Sequence, residues 1–173
     1  MQNNTFAIPS WIDQTRRNHA LEHASLQLLA RKRPGHRFAG YSDPFGFWVI
    51  GDTPTPVLEE AVGEAISRLN AGEKQLAIHP NCGTNFATAG LLAGTAAWLG
   101  MLGVGKGWQQ KLERFPLVIL LSTLALIFAQ PLGLRLQREV TTLAQLDDLQ
   151  VSGTTCTRQA DPVIHRIRTR RGN

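Results

Sequence analysis

The sequence predicts an α+β protein, a small three-stranded sheet with two helices, followed by a transmembrane α-helical hairpin. Three observations carry this. Two 20-residue runs, "FATAGLLAGTAAWLGMLGVG" (86–105) and "FPLVILLSTLALIFAQPLGL" (115–134), contain no charged residue. A helix rises about 1.5 Å per residue, so each run can cross a hydrocarbon layer of about 30 Å. Ahead of them, short aromatic and β-branched runs alternate with segments of helical period. Finally, 173 residues suit about one domain with its own core, so the polar part should pack as a single small layer.

The elements follow in order. Residues 12–33 read as a helix that "RPGH" ends, Pro34 and Gly35 breaking the pattern. "HRFAGY" and "FGFWVIG", separated by "SDP", read as a β-hairpin. "DTPTPVLEEAVGEAISRLNAGE" carries helix signals at both ends. Thr55 can cap it, Pro56 suits its first turn, Glu59 and Glu60 favour the positive end of its dipole, and Gly72 closes it. Val57, Ala61, Ala65, Ile66 and Leu69 form its apolar stripe. "KQLAIH" reads as the third strand. Beyond the second apolar run, "REVTTLAQLDDL" reads as a short amphipathic helix at the membrane surface, and "DPVIHRIRTRRGN" as a solvated basic tail. The expected division is therefore 11-84, a cytoplasmic α+β domain; 85-135, a two-helix transmembrane hairpin; and 136-173, an amphipathic segment and basic tail.

The chain is basic, with a formal net charge of +5 and a pI near 9.9. Only Lys106, Lys111 and Arg114, partly offset by Glu113, lie in the connector between the apolar runs. The remaining Lys and Arg lie on the other side, Arg135 and Arg138 directly after the second run. The positive-inside rule then puts both termini in the cytoplasm, with the chain in the cell inner membrane. "MQNNTFAIPSW" lacks a basic region followed by an apolar run, so the hairpin itself is expected to direct insertion. In the cytoplasm Cys82 and Cys156 stay unpaired as thiols or thiolates. With no charge inside either run, an ion path is not indicated. No nucleic acid is expected as a partner; the tail is read as part of the topology signal.

Gly90 and Gly94 form a G-x-x-x-G pattern, continued by Ala97, Gly100 and Gly103. Small residues let membrane helices approach closely, either the second run or another subunit. Two helices alone make a thin membrane domain, so besides the lipid bilayer a homo-oligomer or a larger membrane complex is expected. Gln130 and Pro131 mark a kink or the membrane interface.

Chemistry concentrates in "NHALEHASLQLL". On a helix, at about 100° per residue, His19, Glu22, His23, Leu26 and Ala30 share one face, so both imidazoles can reach one point. H-x-x-E-H is the inverted zincin order, in which the histidines hold zinc and the glutamate activates the bound water. Glu22 is thus the candidate catalytic base. The alternative is two histidines satisfied by carboxylates or carbonyls. "HPNCGTN" adds His79 and Cys82 with knuckle-like spacing. His19, His23, His79 and Cys82 can complete a tetrahedral zinc set, or three of them plus water can leave an open position. Alternatively Pro80 and Gly83 merely shape a turn that Thr84 or Asn85 caps.

"HALEHA", "FWVIGDTPT" and "LAIHPNCGTNFATAGLLAG" resemble an uncharacterised bacterial family, a domain of unknown function, of small two-span membrane proteins, over roughly residues 15–135. A longer, more distant membrane family is similar in pairing an H-G-A-E-H-K block with an H-P-R-C-G-T-S block just before a span. The resemblance implies that His19, Glu22 and His23 belong to one site with His79 and Cys82; it implies no reaction. Beyond five residues nothing resembles the soluble inverted-zincin peptidases. Two functions follow as expectations: metal-dependent hydrolysis of a membrane-proximal peptide or lipid bond, or a non-enzymatic assembly or accessory subunit with a structural site.

Overall fold

The structure, a computed structural model, describes residues 10–172, so the expectation resting on the first residues lies outside the described ones. The described residues form a mixed α/β protein of four α-helices and one four-stranded antiparallel sheet. The chain forms two compact units: one runs to His79 and resumes at Arg138, and the other is Pro80–Gln137.

In the first unit, helix α1 (Ser10–Lys32) leads into the hairpin of β1 (Ala39–Asp43) and β2 (Gly46–Ile50), followed by α2 (Thr55–Asn70). The Asp43 carboxylate accepts the Phe45 N–H in the hairpin turn. Gly46 is required there: at φ +140° an added Cβ would lie 2.0 Å from the Ile167 carbonyl oxygen. Two expected details of α2 change. Pro54, not Thr55, occupies the cap position, and the Thr55 hydroxyl instead meets His165 Nε2 at 3.0 Å. Gly72 closes the helix as expected, at φ +94°.

The expected three-stranded sheet is corrected to four strands in the order β1-β2-β4-β3, with β3 Leu149–Arg158 and β4 Ile164–Arg171. "KQLAIH" is not a strand. Lys74–Ala77 forms a short 3-10 helix, because α1 side chains take its carbonyls in place of a sheet neighbour. Gln27 donates to Leu76 O and Ile78 O, and His23 to Ala77 O. The remaining two strands come from beyond the helical unit: β3 from the stretch between the expected surface helix and the tail, to which no element was assigned, and β4 from the stretch read as a solvated tail. Of the expected surface helix only residues 138–141 are helical, within the π-helical turn Gln137–Thr141. Residues beyond it run along α1, with Leu143 N donating to Arg16 O and Arg17 to Gln145 O. In β4 one face carries His165, Ile167 and Thr169, all buried, and the other carries Arg166, Arg168 and Arg170. Ile167 is fully buried, whereas Arg166 pairs with Asp43 and lies over Trp48 of β2. The core joins Leu21, Leu28 and Leu29 of α1 and Leu58 and Ala65 of α2 to Phe47, Val49 and Ile167 of the sheet.

The second unit holds α3 (Gly83–Met101) and α4 (Trp108–Leu136), which pack on each other. Of the two expected spans, one helix meets the length and apolarity needed to cross a membrane, the run Trp108–Thr141, and only 11% of its most apolar window is buried. That exposure is the reverse of a soluble core helix. Among the described residues, the part of the expected transmembrane hairpin that passes this test is one candidate spanning helix. α3 is shorter, and Thr84, Asn85, Thr88 and its glycines dilute its apolar content. The helix continues past Pro131 to Leu136. Gly100 is the close-approach position, with Val118 and Leu121 against it; around Gly90 and Gly94 there is open space. A polar latch ties the two helices: Asn85 accepts from Gln137 Nε2 at 2.7 Å and donates to Pro80 O. Gly133 leaves room for it, since a Cβ there would lie 2.5 Å from Asn85 Oδ1.

Candidate metal centre

Spacing on α1 does bring the two histidines together: the His19 and His23 ring centroids are 4.2 Å apart. What fixes them is remote in sequence. His19 Nδ1 lies 2.9 Å from Thr141 O, and His23 Nδ1 lies 2.7 Å from Ala77 O. A carbonyl only accepts, so in both rings Nδ1 carries the hydrogen, and the lone pair of the neutral imidazole sits on Nε2. Backbone carbonyls orient metal-bound histidines in this way.

His79, extended after the 3-10 turn, reaches the same place, its ring 5.6 Å from that of His23. Cys82 follows three positions on and caps α3, its sulfur accepting the Thr84 N–H at 3.4 Å. The expectation that Thr84 or Asn85 caps this helix is corrected accordingly. Backbone N–H groups at such a position favour an anionic side chain. Among the described residues, His19, His23 and Cys82 form a group that could hold a metal ion, with one ligand atom of each within 4.8 Å of the others. The donor set, two imidazoles and a thiol, suits a borderline or soft cation such as zinc.

Glu22 also contacts β1. Its carboxylate accepts a short hydrogen bond from Ser42 Oγ of β1, and its side chain lies over Gly40. Although an acid, it is only 4% exposed. Sequence reasoning missed Ser42 and Gly40, and it missed the carbonyls of Ala77 and Thr141. Carbonyls leave no trace in residue type; the small residues Gly40 and Ser42 opposite a glutamate were the one signal available.

Comparison with known proteins bears out an uncharacterised family. The chain belongs to the family described as Domain of unknown function (DUF6391), whose family model matches residues 14–154. It is similar to an uncharacterized protein of Picosynechococcus sp., 44% identical over 98 residues, which cover 49% of this chain and 47% of that protein. The match thus spans about half the length of that relative. No solved structure matches the chain.

Proposed function

We propose that this is an integral membrane protein that carries a zinc ion on His19, His23 and Cys82, with His79 beside it, at the membrane surface. The observation that carries this reading is the carbonyl bonding of both Nδ1 atoms, which presents two Nε2 lone pairs as ligands. The two apolar helices are proposed to span the inner membrane as a hairpin, both termini cytoplasmic; the charge distribution supports this. The uncovered face at Gly90 and Gly94 supports association with a second copy or a larger complex.

Three protein ligands with one position left open are the arrangement of a hydrolytic site, in which a bound metal supplies Lewis acidity to a water. The substrate class in this reading is a membrane-proximal peptide or lipid bond. A second reading, a non-enzymatic accessory subunit, is favoured by one observation: the carboxylate best suited to act as base is bonded to Ser42.

Metal content by mass spectrometry of detergent-purified protein tests the core of the proposal. About one zinc per chain is expected, lost in a His19→Ala/His23→Ala variant. A metal-free wild type would refute it. Glu22→Gln then separates the readings: a hydrolase loses activity with its zinc retained, whereas an accessory subunit keeps its function.

A further inference from the structure

The first unit carries a cavity of about 570 Å³ between the stretches Lys74–Ile78 and Arg138–Gln145. Lys74 and Arg138 line it, the amides of Gln75 and Gln145 add donors, and Ile78 and Leu143 supply apolar wall; no acidic residue lines it. Both cations are exposed, and neither forms an ion pair among the described residues. The neighbouring acid Glu73 is already engaged by Arg68 at 2.7 Å. Two unpaired cations with amide donors and an apolar wall match a phosphate group attached to an apolar body.

Chain position narrows the source. Arg138 stands two residues beyond the end of α4, the helix long and apolar enough to span, and cations just past a span lie at headgroup depth. We propose that this cavity binds a phosphate-bearing ligand, the headgroup of an anionic phospholipid. The proposal rests on the membrane part of the reading above and deepens it. The cavity walls are the segments whose carbonyls, Ala77 O and Thr141 O, hold His23 and His19. A headgroup seated there touches the two segments that orient the imidazoles, which makes a phospholipid the substrate class to test if the site is catalytic.

The test is native mass spectrometry of the full chain in neutral detergent, titrated with short-chain phosphatidylglycerol, phosphatidylcholine or inorganic phosphate. Phosphatidylglycerol should bind more tightly than phosphatidylcholine. Lys74→Gln/Arg138→Gln should weaken that binding by about tenfold to thirtyfold. Lys111→Gln/Arg114→Gln, which removes two charges elsewhere, should leave it unchanged. Inorganic phosphate displacing the lipid through the same two cations also supports the phosphate site; phosphate binding without lipid preference overturns the headgroup proposal, leaving a soluble phosphate ligand. Equal binding of the two lipids with no effect of phosphate overturns the proposal, as does an unaltered Lys74/Arg138 variant. Zinc measured on the same samples keeps the two ideas separate. Lipid binding without zinc refutes the metal centre alone, and zinc without lipid preference refutes the cavity alone.

Discussion

At the scale of single residues, the least expected arrangement is Glu22 over Gly40. A Cβ at position 40 would lie 2.2 Å from the Glu22 carboxylate. Gly40→Ala therefore has to push a buried carboxylate off Ser42, at a cost of about 1–3 kcal/mol. Denaturant unfolding should show this loss, and in a Glu22→Ala background most of it should vanish, a coupling that independent sites would not give. A second buried residue gives a pH signature. Burial lowers the pKa of His165 below the ordinary 6.5, and Glu59 offsets this in part. Its Nε2 meets Thr55, while Nδ1 is buried without a partner, so a second ring proton has nowhere to bond. Below pH 6.5 the unfolded chain takes up a proton that the folded ring resists. Stability is therefore full above that pH and falls as the pH drops towards the folded value. His165→Gln should flatten this part of the stability profile; an unchanged slope would exclude His165 as its source. The spacing of His19 and His23 was legible because one helix sets it. The side to which Glu22 turns was not, because β1 decides it.

At the scale of elements, legibility followed the strength of the local signal. α1, α2 and the β1–β2 hairpin were readable, each carrying its own stop or turn residues. β4 was misread because a strand with arginines on one face looks like a charged tail, although His165, Ile167 and Thr169 alternate along its buried side. "KQLAIH" was misread for the opposite reason: its apolar residues are buried, but its hydrogen bonds go to α1 side chains. In the helical unit, Asn85 and Gln137 are the polar exception. Gln137 is fully buried, and Asn85→Ala removes one of its acceptors. A loss of about 1–3 kcal/mol is expected, read as a lower melting temperature in detergent. Asn85→Asp, which keeps the acceptor, should lose less.

At the scale of the whole molecule, the proposed topology predicts which ends are reachable. With the charge bias as described, a protease added to sealed inside-out vesicles should cleave the basic strand region, while a tag in the 102–107 connector stays protected. The reverse pattern would place the sheet on the far side of the membrane. The order of strands has a further consequence, for biogenesis. β2 pairs with β4, and Val49 faces His165 across a stretch of chain that includes the entire helical unit. A ribosome therefore delivers β1 and β2 long before their partner. Until β4 has been synthesised, the nascent protein carries an open strand edge bearing Phe47, Trp48 and Val49, a template for wrong pairing. Quality control by chaperones or membrane proteases has its opening in that interval, and a stop codon after Leu136 would make the interval permanent.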